Sequence, residues 1–218
     1  MQSASVQDYL QMIYRLQRHG SPVSTTALAA GLGVSPASVT GMLRKLHRQG
    51  LAEHVPYQGV SLTERGEAEA LRLLRRHRLW EVFLTDVLGL PWDEVHAEAH
   101  RLEHATSQRV ADRLAAFLHE PQTDPHGQLI PGRNGQVPPR SAIPLTELAA
   151  GRRAVVVEVP DGDPQRLRYL GALGLVPGRS LCTVGWAGDL LAFDLDGQVR
   201  RLERGLAALI LVREMNEP

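Results

Sequence analysis

Ser35-Pro36-Ala37-Ser38-Val39-Thr40-Gly41-Met42-Leu43-Arg44-Lys45-Leu46-His47-Arg48-Gln49-Gly50 carries both its own start and its own stop. A serine before a proline supplies a helix cap and a first residue that needs no amide hydrogen, and Gln49-Gly50 ends the helix. Val39, Leu43 and Leu46, with Met42 beside them, fall on one face, so Ser38, Thr40, Gly41, Arg44, Lys45 and Arg48 point outward. Upstream, Ser24-Thr25-Thr26 caps a short helix through Leu28 and Ala29 that is expected to stop at Gly31. Before that, Val6, Tyr9, Leu10, Ile13 and Leu16 recur at helical spacing and close with His19-Gly20. Leu51 to Leu62 reads as strand, turn (Tyr57-Gln58-Gly59) and strand. Two short helices around a glycine-bearing turn, followed by a hairpin, make a winged helix-turn-helix.

That order points to DNA. Ser35, Ala37, Ser38, Thr40 and Gly41 occupy the end of a recognition helix that meets base edges, Arg44, Lys45 and Arg48 suit phosphates, and Tyr57 and Gln58 form the tip of the wing. The competing reading is an ordinary three-helix domain with a solvated basic face. Charge follows the same division although the net charge is zero: residues 1–76 carry 9 Lys/Arg against 5 Asp/Glu, and residues 77–120 carry 4 against 8. A basic segment fits a polyanion and an acidic one fits cations.

The acidic segment holds a second pattern. Thr63 caps a long helix running through Arg72–Arg78 toward Leu88, Trp92-Asp93 opens another, and Ser107 to Leu118 forms a third. In Val95-His96-Ala97-Glu98-Ala99-His100-Arg101-Leu102-Glu103-His104, residues His96, His100, Glu103 and His104 share an arc of about 100° on one helical face. His77 and Glu81 form another pair at i, i+4 spacing. Imidazole with carboxylate is a donor set for a borderline-to-hard divalent metal, the alternative being a solvated polar face. His100-Arg101-Leu102-Glu103-His104 also fits the H-x-x-E-H pattern of zinc peptidases, but that reading leaves the winged helix and His77/Glu81 without a role.

Five prolines and three glycines between residues 119 and 142 mark a linker. Beyond it Ala154–Val159, Ser180–Val184, Leu190–Leu195 and Ala208–Val212 read as short strands of a small β-barrel. The fold class is therefore mainly α with small β. The expected division is 1–63 winged helix, 64–120 helical metal-binding and dimerisation domain, 121–142 linker and 143–218 SH3-like barrel. The single Cys182 excludes an internal disulfide, and no apolar run reaches membrane-spanning length, so a cytoplasmic protein with no membrane association is expected. All nine histidines lie at or before His126.

The chain resembles the metal-dependent transcriptional regulators typified by the diphtheria toxin repressor and the manganese transport regulator. The resemblance rests on Asp8-Tyr9-Leu10-Gln11-Met12-Ile13-Tyr14, Ser35 to Gly50, Arg76-His77-Arg78-Leu79, Val95 to His104 and Ile130-Pro131-Gly132, and on Leu170 to Gly178, which is similar to a FeoA-type SH3-like domain. It implies a primary metal site of Asp8, His100, Glu103 and His104. An ancillary site of His77, Glu81 and His96 is implied as well, with help from the C-terminal domain, where Glu158, Asp161 and Asp163 lie near the expected ligands. It also implies a homodimer that binds double-stranded DNA at a palindromic operator, a non-enzymatic repressor of metal-uptake genes. Iron-type members carry Met and Cys where this chain has Asp8 and His100. The manganese type carries Asp and Glu there, and Glu where this chain has Gln11. Loss of thioether and thiol favours Mn2+ as the cofactor, with Fe2+ as the alternative. Gly41 replaces a longer side chain, so base specificity does not transfer.

Overall fold

The computed structural model describes residues 3–18, 20–55 and 58–215. Two compact units emerge: residues 1–77, 102–111 and 131–136 in one, and residues 78–101, 112–130 and 137–218 in the other.

In the first unit, α1 (Ala4–Gln17), α2 (Thr25–Leu32) and α3 (Pro36–Arg48) precede the antiparallel hairpin β1 (Ala52–Val55) and β2 (Gly59–Leu62). Both expected serine caps form: Ser24 accepts the amide of Ala27 and Ser35 that of Ser38. The second helix runs past Gly31 and ends at Gly33, the residue in the left-handed conformation (φ 64°) that an L side chain resists. Val6, Leu10, Ile13, Leu28, Val39, Leu43, Leu46, Leu51 and Val60 make a continuous core under these elements. The hairpin is tied down by Gln17, whose Oε1 accepts the Leu62 amide at 2.8 Å, and by paired Val23 and Val60. Thr63 Oγ1 accepts the Gly66 amide and donates to Gly50 O, starting α4 (Glu64–Val82). A Cβ on Gly66 would lie 1.8 Å from Leu51 O, so this junction requires glycine.

α4 ends earlier than its apolar spacing suggests. A π-helical turn, Phe83–Val87, replaces its last turn and places Phe83 edge-on to Trp80, with ring centroids 5.6 Å apart. α5 (Val95–Glu103) starts after the Trp92-Asp93 turn, and α6 (Gln108–Phe117) follows, its Ser107 cap accepting the Val110 amide.

In the second unit, β3 (Ile143–Pro144), β4 (Arg153–Glu158), β5 (Ser180–Ala187), β6 (Leu190–Leu195), β7 (Gln198–Glu203) and β8 (Leu211–Glu214) form one antiparallel sheet of order β3-β8-β4-β5-β6-β7. Its core joins Val156, Leu167, Leu170, Leu181, Leu191 and Phe193. Two expectations change here. The last strand begins at Leu211, because residues 204–207 form the short helix α8. Asp163, expected near the metal ligands, instead caps the start of a helix, α7 (Pro164–Ala172). Residues 121–142 contain no regular strand or helix but do not hang free: Asp124, His126 and Ile130 are buried. Gly127 approaches Val157 O so closely that a Cβ would sit 2.0 Å from it.

Candidate metal centre

Two groups of donors stand out, one in each unit. In the first unit α1 presents Gln7 and Asp8 to the end of α5. His104, one residue beyond that helix, places Nε2 3.1 Å from Asp8 Oδ1 and 3.6 Å from Glu103 Oε1, while its Nδ1 lies 2.6 Å from Gln7 Oε1. Asp8, Glu103 and His104 each offer an atom within 4.8 Å of the others. Glu103 is fully buried, and its second oxygen meets His77 Nδ1 at 2.7 Å. His77, assigned by resemblance to the ancillary set, is thus bonded to a member of the primary set. His100 stands one turn before His104 on α5 and is exposed.

In the second unit, His96 Nδ1 lies 3.1 Å from Glu81 Oε1 and 3.7 Å from Asp161 Oδ2. The same Glu81 oxygen faces a residue that sequence spacing does not select: His126 Nδ1, 3.8 Å away, with Asp124 Oδ1 4.0 Å from that nitrogen. Glu81, Asp124 and His126 are all buried and close enough to share an ion. His126 stacks on Trp92 and places Nε2 2.8 Å from the Trp92 carbonyl. A carbonyl only accepts, so Nε2 carries the hydrogen, and in the neutral ring Nδ1 is a bare lone pair. That buried lone pair has no hydrogen-bond partner and points toward two carboxylates. A cation between them removes the conflict, so the donor set fits a divalent metal.

Arg78 holds this arrangement together. Its guanidinium donates to Leu129 O and Gln128 Oε1 and lies 3.4 Å from Asp124 Oδ2. Burial, and next the charge of Glu81, pushes the Asp124 carboxyl well above the usual range, with Arg78 pulling the other way. Asp124 Oδ1 also accepts the amides of His126 and Gln128, which folds the 124–128 turn around it.

Of the three acids expected near the ligands, only Asp161 joins the cluster. Glu158 pairs with Arg140 at 2.7 Å, and Asp163 caps α7 by accepting the amides of Gln165 and Arg166. Gln7, Asp124 and His126 escape sequence reasoning as site residues, and Arg78 enters it only within the Arg76-His77-Arg78-Leu79 motif. His126 left a trace as the last histidine in a chain whose final 92 residues have none.

On α3, Ser35, Ala37, Ser38, Gly41, Arg44 and Arg48 are exposed, and Thr40 and Lys45 partly so. Ser35 and Ser38 bond each other at 2.9 Å, and Thr40 returns its hydroxyl to Pro36 O at 3.0 Å. Gln58 is exposed at the hairpin turn, and Tyr57 lies outside the described residues.

Residues 1–60 match the family model described as the iron-dependent repressor N-terminal DNA-binding domain. Residues 63–132 match its metal-binding and dimerisation domain, and residues 143–214 match a FeoA domain. The iron-dependent repressor IdeR of Mycobacterium tuberculosis is 39% identical over 181 residues, which cover 78% of this chain and 79% of that one. The chain belongs to the iron-dependent repressor family. A solved structure named as a manganese-dependent transcriptional repressor in complex with manganese superposes with a TM-score of 0.90 at 39% identity, covering 96% of this chain and 100% of its own. The manganese regulator SloR follows at 0.81 and 30%, covering 96% of this chain and 98% of its own. As a member of this family the protein is a metal-dependent, DNA-binding transcriptional repressor and not an enzyme. Among the described residues no single helix is long and apolar enough to cross a membrane.

Proposed function

We propose that the protein is a manganese-activated repressor of metal-uptake genes, acting in the cytoplasm as a homodimer on a palindromic operator. The observation that carries the choice of metal is the donor chemistry. Asp8, Glu103 and His104 in one cluster, and Glu81, His96, Asp161, Asp124 and His126 in the other, are oxygen and imidazole donors without a thiol or thioether. Such ligands suit Mn2+, and the resemblance to a manganese-bound repressor agrees. Fe2+ is the second reading, favoured by the 39% identity to IdeR.

The primary site is Asp8, His100, Glu103 and His104; the ancillary site is Glu81, His96 and Asp161 with His77, extended by Asp124 and His126. Glu81, Asp124 and Asp161 are buried around the guanidinium of Arg78, and a divalent ion favours their ionised forms there. Chain division at 63, 120 and 142 separates DNA reading, metal binding with dimerisation, linker and barrel. The exposed Val87, Leu88 and Phe117 beside the Trp80–Phe83 pair supply the apolar dimer face.

A bound cation adds a ligand that prefers one arrangement of α1 against Glu103 and His104, and because α1 shares a core with α2 and α3, it biases the recognition helix too. Ser35, Ala37, Ser38, Thr40 and Gly41 meet base edges, while Arg44, Lys45, Arg48 and the wing at Tyr57 and Gln58 meet the backbone. Equilibrium dialysis against Mn2+ and Fe2+, paired with operator binding with and without chelator, tests the reading. Binding that survives chelation refutes metal activation, and activation by Fe2+ alone refutes manganese.

A further inference from the structure

We propose that Gln7 is the positioning residue that aims His104 at the metal, so that α1 acts on the primary site through two adjacent side chains. The inference rests on the metal reading of Asp8, Glu103 and His104. Gln7 is buried, 7% exposed, on the face of α1 that carries Val6 and Leu10 into the core. A buried amide needs partners, and its Oε1 has His104 Nδ1 at 2.6 Å. An amide oxygen only accepts, so Nδ1 carries a ring hydrogen and Nε2 is the nitrogen left to bind a cation, which takes the place of any hydrogen that Nε2 directs at Asp8 Oδ1. Nε2 is the nitrogen that faces Asp8 Oδ1 and Glu103 Oε1.

His126 shows the same device in the other unit, where the Trp92 carbonyl takes Nε2–H and turns Nδ1 toward two carboxylates. There a backbone atom fixes the ring; at His104 a side chain does. The ring's orientation therefore travels with α1, and α1 travels with the recognition helix it packs against. Gln7 thus couples metal affinity to DNA binding independently of any bond that Asp8 makes. Because the coupling is reciprocal, operator DNA raises the affinity for metal partly through Gln7.

Three variants of the full chain test this: Gln7→Leu, which cannot accept, Gln7→Glu, which still can, and Asp8→Ala as a reference for the metal reading. Nitrogen-15 histidine spectra of the metal-free protein report which ring nitrogen of His104 holds the hydrogen, and free Mn2+ measured by electron paramagnetic resonance gives affinity with and without operator DNA. The expected result is the Nδ1–H form of His104 in wild type, its loss in Gln7→Leu, and a Mn2+ affinity about 10- to 100-fold weaker, as for other residues that orient a ligating histidine. Gln7→Glu restores both, which a merely structural role for Gln7 would not produce. The gain in affinity on adding operator DNA shrinks in Gln7→Leu. An unchanged ring form and an affinity within twofold in Gln7→Leu, while Asp8→Ala weakens binding, overturn the role of Gln7 alone. Mn2+ uptake that neither substitution alters overturns the metal reading beneath it.

Discussion

The two donor clusters solve one problem in different surroundings. The first, at Asp8 and His104, is partly open, with those side chains 31% and 18% exposed, and it draws on the helix that supports DNA reading. The second is sealed at Glu81, Asp124 and His126 and reaches solvent only through His96, 31% exposed, and its charges are held by Arg78 and by a turn of the proline-rich segment. An open cluster can exchange ions and respond to α1, whereas burying ionised carboxylates in a sealed one costs desolvation that a bound cation offsets. On the proposed metal reading, this difference suits the first to signalling and the second to structural consolidation.

The largest expected effect strikes the sealed cluster. Arg78→Met leaves the Leu129 carbonyl and Gln128 Oε1 without their donor and Asp124 without its neighbouring cation, and should cost about 1–3 kcal/mol for each buried acceptor so stranded in denaturant unfolding of the metal-free protein. Saturating Mn2+ should recover part of that loss. A loss below about 1 kcal/mol would mean that solvent reaches this cluster and that the contrast between sealed and open is false.

Asp8→Ala addresses the open cluster. It should raise the Mn2+ needed for half-maximal operator binding by about 5- to 150-fold, the span of ordinary coupling between sites. The rise in unfolding temperature that Mn2+ produces through the sealed cluster should persist. If that rise disappears as well, the clusters do not have separate roles.

The sealed cluster is also where sequence reasoning stopped short. Glu81 and His96 were legible because helical spacing brings neighbours to one face without reference to the rest of the chain. Asp124 and His126 lie in a segment whose prolines and glycines mark it as a linker, and only tertiary folding carries them to Glu81. Other misses have local causes. Gly31 reads as the stop of the second helix, but the helix runs on to Gly33, the residue that adopts positive φ. Asp163-Pro164 is the same start signal as Ser35-Pro36, yet the family resemblance places Asp163 with the acids near the expected ligands. β7 shows a single fully inward apolar residue, Leu202, because it is an edge strand, so alternation is faint.

Acidity offers a finer comparison. Burial raises Asp124, so its protonated form is the one that suits the metal-free fold. Its contribution to stability is intact below the ordinary carboxylate range and is lost as pH rises through the raised value. Metal-free protein should therefore lose stability over that interval by at most about 1.4 kcal/mol per pH unit from this single proton. Mn2+ should offset the loss by favouring the ionised form, with proton release visible in calorimetry across buffers of different ionisation heat. Asp124→Asn should flatten this part of the profile. A profile as steep in Asp124→Asn as in wild type would place the titrating group elsewhere.

The smallest effects distinguish the three acids of the barrel, which sequence position alone treats as equivalent. Asp161 is buried beside His96, and Asp161→Asn should weaken metal-induced stabilisation of the sealed cluster. Asp163 is a helix cap, so Asp163→Ala should cost about 1 kcal/mol with no change in the metal requirement. Glu158 holds Arg140 in a partly exposed pair, and Glu158→Gln should cost less than about 1 kcal/mol, again with metal response intact. Side by side, the three substitutions separate lost stability from lost metal affinity, because each removes one carboxylate charge from the same short stretch. If Asp163→Ala or Glu158→Gln altered the Mn2+ titration as much as Asp161→Asn, the barrel would act on the cluster through its overall charge, and the close approach of Asp161 to His96 would carry no special weight.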